Sequence, residues 1–150
     1  MLANVKDELN RFAKYVISQS RANLTRGKKN SSKDLYNSLD SEVKVSKNSF
    51  ELSFLMEEYG VFQDKGVSGV KKKYSTPYAY TTKMPPPSKM DKWIVKKGIA
   101  PRDKDGKFIS RKSLQFMIAR SIFNNGIKPS LFFTKPFEKA FKGLNKDLVK

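Results

Sequence analysis

Apolar residues recur at three- and four-residue intervals from the start of the chain: Val5, Leu9, Phe12, Val16 and Ile17, with Lys6, Asp7, Arg11 and Lys14 between them. That spacing predicts an amphipathic helix that fades near Leu24. The polar run from Arg26 to Ser32 has loop composition, and Ser32 is placed to cap a short helical turn carrying Leu35, Tyr36 and Leu39. The period then drops to two. Val43 and Val45 alternate with Lys44 and Lys47, Lys47-Asn48-Ser49 can turn, and Phe50, Leu52, Phe54 and Met56 alternate again. This is the pattern of a β-hairpin with one apolar face. The first helix and a later helix starting near Ser113 are its expected covers. Residues 57–63, with Tyr59 and Phe62, read as a helical turn stopped by Gly66.

Residues 67–110 lose both periods. Glycines, the lysine run Lys71-Lys72-Lys73, three tyrosines (Tyr74, Tyr78, Tyr80) and Pro85-Pro86-Pro87 are poor material for regular structure. One compact element stands out: Met90, Trp93, Ile94 and Val95 form a short helix pattern ending at Gly98, with Lys96 and Lys97 in its last turn. Helical spacing returns with Leu114, Met117, Ile118 and Ile122 after a cap at Ser110 or Ser113, and Asn124-Asn125-Gly126 closes it. Leu131-Phe132-Phe133 reads as a short extended piece. Pro136 then opens a last helix whose Phe137, Ala140, Phe141, Leu144 and Leu148 share a face. The expected fold class is α+β: an N-terminal helix, an antiparallel sheet built on a hairpin and two C-terminal helices. Residues 67–110 are expected as an inserted basic, loop-rich lobe of a single domain.

Charge changes this picture more than composition does. The chain of 150 residues carries 31 Lys+Arg against 14 Asp+Glu, a net of +17. Residues 1–64 are nearly balanced, with 10 basic and 9 acidic side chains, whereas residues 65–112 hold 14 basic and 3 acidic ones. So concentrated an excess points to a polyanionic partner or setting. Hydrophobic content of 38% is enough to fold, and no run of apolar residues is long enough to span a bilayer. The absence of cysteine removes disulfides and suits a reducing compartment, and the first residues show no signal-peptide pattern.

The same absences weigh against catalysis. With no His and no Cys, the commonest general base and the strongest nucleophile are both missing. Asp34 or Asp40 with Glu42 and Lys44 imitates a nuclease set only faintly, and Lys44 is better read as an outward strand residue. Asp103-Lys-Asp105-Gly106 lacks the further oxygen ligands and terminal Glu of a calcium loop and is ordinary turn chemistry. No catalytic residue, metal or cofactor is expected. Tyr74, Tyr78 and Tyr80 among lysines resemble a stacking platform for single-stranded nucleic acid, but packing of a proline-rich loop onto the domain or a neighbouring subunit is the favoured reading. Trp93 reads as an anchor under the lobe or in an interface pocket rather than as a base-stacker.

The order of a leading helix, a strand hairpin, a Gly turn and a C-terminal aromatic-Pro segment with its helix carries a family resemblance, together with three short stretches. Asp64-Lys-Gly66-Val67 after the strands is similar to the Glu-x-Gly-Thr-like turn of tail-completion (neck) proteins of tailed bacteriophages, with Asp64 in place of Glu and Val67 in place of Thr. Phe132-Phe133-Thr134-Lys135-Pro136-Phe137 resembles the Pro-Phe-x-Arg-Pro-Ala-like segment before the final helix of that family, with Phe132 and Phe137 in place of Pro and Ala. The run from Met84 through Trp93 to Gly98, then Ile118–Ile122 and Gly126–Pro129, is similar to one branch of it. The resemblance implies a structural, non-enzymatic head–tail connector of the virion, made in the host cytoplasm. It would be a homo-oligomeric ring between portal or adaptor and tail proteins, with double-stranded DNA passing through. Candidate interface residues are then Asp64, Gly66, Val67, Trp93, Phe132, Phe133 and Pro136. Lys71, Lys72 and Lys73, in a Gly-flanked stretch expected to be flexible, are candidates for phosphate contact. The alternative is a sequence-independent DNA- or RNA-binding protein without membrane association.

Overall fold

In the computed structural model, which describes residues 2–29 and 33–148, the first apolar stripe becomes α1 (Leu2–Arg26). Short α2 (Asp34–Ser38) follows, and the strands are β1 (Asp40–Val45) and β2 (Phe50–Leu55). Helix α3 spans Tyr59–Lys65. A 3-10 turn at Pro87–Met90 leads into α4 (Asp91–Lys97), and α5 (Arg111–Asn125) and α6 (Thr134–Leu148) complete the chain. Mixed helix and sheet are present as the α+β class requires. The anticipated cap Ser32 and the Leu148 side chain lie outside the described residues. Lys33 precedes α2 in the left-handed region (φ 61°) and makes no side-chain cap.

The chain divides into two compact units, one of Met1–Asp64 with Ser130–Lys150 and one of Lys65–Pro129. The inserted unit is therefore longer than the irregular stretch 67–110, because α5 belongs to it.

In the first unit the hairpin pairs antiparallel with Val43 opposite Leu52, Val45 opposite Phe50 and Ser41 opposite Phe54. A lone two-stranded hairpin is marginal in water, so its apolar face needs cover. Leu9, Phe12 and Val16 of α1 and Leu144 of α6 supply the buried centre, with Val43, Phe50, Leu52, Phe54, Phe133, Phe137 and Ala140 packed against it. Phe54 meets the rings of Phe12, Phe133 and Phe137 edge-on at 6.1, 5.1 and 6.0 Å, a favoured aromatic geometry. The second cover is thus α6, not the helix near Ser113. Helix α5 keeps its apolar side for its own unit, where Leu114 and Ala119 are buried. A second cluster joins Leu24, Leu35, Leu39 and Phe132.

The expected extended piece at residues 131–133 is instead a tight turn, with Leu131 at φ +54°. A leucine in the left-handed region is disfavoured by roughly 1–2 kcal/mol, so something must hold it there.

The inserted unit has little regular structure outside α4 and α5. Ser110 caps α5 by accepting the Ser113 amide at 3.2 Å, and Gly126 (φ +70°) ends it. Gly98 (φ +63°) ends α4, as the sequence implies.

Phe54→Ala should lower unfolding free energy by about 3 kcal/mol, the low end for a phenylalanine because Phe54 is only partly buried. Glu51→Ala on the outer face should change it by less than about 0.5 kcal/mol. Urea denaturation of both variants measures the difference, and equal midpoints would show that the inner face is misassigned.

Candidate functional site: the Asp64 clip and the basic unit

Asp64 lies at the end of α3 and is 4% exposed, an unusual place for a carboxylate. Its Oδ1 accepts the backbone amides of Phe133 at 3.0 Å and Thr134 at 2.9 Å, and its Oδ2 accepts the Thr134 hydroxyl. Thr134 begins α6, so Asp64 caps that helix from a distant part of the chain. The first turn of a helix leaves amides unsatisfied and carries partial positive charge, and a carboxylate answers both. Pro136, two residues further on, has no amide to satisfy there. Among the described residues no lysine or arginine forms an ion pair with Asp64.

The surrounding bonds tighten the same junction. The Leu131 amide donates to the Asp64 carbonyl at 3.0 Å, and the Ser130 amide and hydroxyl donate to the Gln63 carbonyl at 3.1 and 2.6 Å. Asn23 Nδ2 of α1 donates to the Phe132 carbonyl at 3.1 Å. This network holds Leu131 in its strained conformation.

Most of the candidate interface residues are therefore interior. Asp64, Gly66, Val67, Phe132 and Pro136 are buried and Phe133 is half-buried. An exposed apolar surface at these segments is not what the fold provides, because capping and core packing occupy them. Trp93 departs in the other direction. It is 41% exposed, and its neighbour Ile94, 2% exposed, is the packing anchor of α4. Helix α3 shows water Tyr59, Val61 and Phe62, and α6 shows Phe141. The sequence did not reveal the exposure of the α3 residues because so short a helix does not show which side faces the core, and Phe141, expected on the shared apolar face of the last helix, is 46% exposed.

In the inserted unit, residues 66–72 run against the end of α5. Val67 and Ile127 exchange amide–carbonyl bonds at 2.9 and 2.7 Å, the Val70 amide donates to the Phe123 carbonyl, and the amides of Lys71 and Lys72 donate to the Asn124 carbonyl. The backbones approach so closely that a Cβ on Gly126 would lie 2.1 Å from the Val67 carbonyl oxygen, and one on Gly69 would lie 2.2 Å from that of Asn124. Buried Ser68 ties the returning loop: its hydroxyl accepts the Tyr74 amide at 2.9 Å, and its backbone bonds Tyr78 and Tyr80.

Lys71, Lys72 and Lys73 are exposed, but they are not on a flexible tether. The backbone amides of Lys71 and Lys72 are fixed against the end of α5, the negative end of that helix. Lys72 Nζ lies 5.6 Å from the centre of the Tyr74 ring. Tyr74, Tyr78 and Tyr80 are half-buried, and Tyr80 packs on Phe123 at 6.2 Å, so they fasten the loop more than they form an open platform. Burial pushes the Tyr80 hydroxyl above the ordinary phenol range. The unit carries 16 basic and 3 acidic side chains, a net of +13.

Other candidate chemistry resolves into structure. Asp103 Oδ1 accepts the amides of Asp105 and Lys107 at 2.9 and 3.0 Å, closing a turn in which Arg102 stacks on Phe108 at 3.9 Å. Among the described residues no group of His, Cys, Asp or Glu is arranged to hold a metal ion, and no helix is long and apolar enough to cross a membrane. A shallow cavity of about 480 Å³ between α1 and α2 is lined by Lys14, Ile17, Arg21 and Tyr36, among others. Arg21 is committed there to the carbonyls of Tyr36 and Leu39. No protein-family model, curated protein or solved structure matches the chain.

Asp64→Ala should destabilise the first unit by about 3 kcal/mol, since it strands buried donors that had a charged acceptor. Thr134→Val removes one donor and should cost about 1 kcal/mol. Hydrogen exchange at the Phe133 and Thr134 amides should accelerate in Asp64→Ala before global unfolding; unchanged protection would mean the clip does not hold α6. In the inserted unit, Gly126→Ala combines a positive φ with a backbone clash and should cost at least about 2 kcal/mol, read as a lowered melting temperature.

Proposed function

We propose that the protein is a structural virion component, a ring-forming neck or tail-completion subunit that joins portal and tail in a tailed bacteriophage and lets DNA pass. One observation carries this reading. Two of the stretches that resemble neck proteins, Asp64 to Val67 and Phe132 to Phe137, are far apart in sequence, yet the Asp64 carboxylate bonds directly to Phe133 and Thr134. A common fold requires that kind of spatial pairing, whereas an accidental likeness of short strings does not.

In this reading the subunit contacts move outward from the buried strings to the apolar residues that unit exposes, Tyr59, Val61 and Phe62 of α3 and Phe141 of α6. Exposed apolar patches mark association surfaces, and a head-to-tail ring needs two different ones. Portal or adaptor and tail proteins are the neighbours. Lys71, Lys72 and Lys73 face the phosphates of channel DNA without reading bases. The second reading, a sequence-independent DNA- or RNA-binding protein, is favoured by the concentration of 16 basic against 3 acidic side chains in the inserted unit.

Cryo-electron microscopy of assembled particles tests the first reading. A ring of this chain at the head–tail junction is expected, with α3 against a neighbour, and Phe62→Glu should yield tailless or empty particles. Absence of the chain from particles, or α3 fully solvated within them, would overturn the proposal. For duplex DNA, replacing Lys71–Lys73 with Ser should reduce the slope of log K against log salt by about 2–3. An unchanged slope would remove these lysines from DNA contact.

A further inference from the structure

The outer face of α4 combines features that neither the core nor the clip uses. Ile94 alone is buried, and Lys92, Trp93, Val95, Lys96 and Lys97 are all exposed. Lys96 and Lys97 follow Trp93 by three and four residues, which places their side chains on the helix face that carries the indole. Trp93 is the chain's only tryptophan. Leaving so large an apolar ring 41% exposed forgoes burial energy that most domains would take.

Ring–cation pairs occur elsewhere in the same unit. Lys72 lies over Tyr74, and Arg102 stacks on Phe108, which is 63% exposed. Of these rings only Phe108 is exposed like Trp93, Tyr74 being half-buried. An exposed ring near cations is what an unpaired nucleotide requires, a flat apolar surface for the base and a positive group for the phosphate. A duplex keeps its base faces stacked and would leave the indole idle. The unit holds 16 basic side chains against 3 acidic ones. Its few carboxylates include Asp91, bonded to Arg111 and Gln115, and Asp103, bonded to turn amides.

We infer that α4 forms a sequence-independent contact site for single-stranded nucleic acid, in which Trp93 stacks on a base and Lys92, Lys96 and Lys97 meet the flanking phosphates. The site deepens the second reading, a sequence-independent nucleic-acid binder, and does not rest on the Asp64 clip that carries the neck reading, so a failed titration here leaves the neck reading intact.

Trp93 is its own reporter. The full-length protein is titrated with a 20-nucleotide oligothymidylate, with the corresponding duplex and with polyglutamate, while indole fluorescence is followed across a salt series. Saturable quenching by the single strand is expected, with weaker binding of the duplex and of polyglutamate. Trp93→Ala should weaken single-strand binding about tenfold, and Trp93→Phe should retain most of it, because stacking tolerates another aromatic ring. Replacing Lys92, Lys96 and Lys97 together with Ser should reduce the salt slope by about 2. These positions are exposed, so each variant should keep the wild-type melting curve. Absence of quenching in the wild-type protein overturns the site even if a variant fails to fold. Tighter duplex binding also overturns it, as does equal affinity for polyglutamate, which would reassign the face to an acidic protein.

Discussion

The first unit depends on one buried carboxylate. Asp64 ends α3 and begins α6, because the amides that α6 leaves open at its first turn find their acceptor there. Without that acceptor the turn at residues 130–133 would have to hold a left-handed leucine unaided. The phenylalanines that this turn delivers to the hairpin, Phe133 and Phe137, would lose their fixed approach. Since α6 supplies half of the cover for a hairpin too small to persist alone, the charge–amide contact controls an apolar core that it does not itself join.

The inserted unit reaches order by a different route. It buries few large side chains, among them Ile94 and Leu114, and relies on backbone closeness. Glycines at 69 and 126 let two chain segments approach to hydrogen-bonding distance, and Ser68 saturates the loop that returns through Tyr74 to Tyr80. In this arrangement the unit's lysines and arginines are exposed. Its net charge of +13 is therefore carried on a fixed scaffold, which presents cations at set positions instead of on a searching arm.

These two constructions suit different tasks. A clipped, aromatic-cored unit with apolar residues exposed on α3 fits the proposed role in subunit assembly. A basic unit with ring–cation pairs fits contact with a phosphate backbone. Neither requires a general base or a nucleophile, and the chain has no His or Cys to provide the usual ones.

Periodicity by itself determined α1, the hairpin and its inward set Val43, Phe50, Leu52 and Phe54, and the positions where Gly66, Gly98 and Gly126 end helices. Local chemistry dictates these, and local chemistry is what a sequence displays. It also located the charge and ruled against the usual histidine and cysteine chemistry. Only the tertiary structure decided that α6 and not α5 covers the hairpin, since the apolar residues of either helix could have met that face. Only it showed that Asp64, Val67, Phe132 and Pro136 are interior and Trp93 exterior. An acidic residue or a tryptophan has the same letter in a cap, a core or an interface. Which one it occupies depends on the distant amides and rings that folding brings to it.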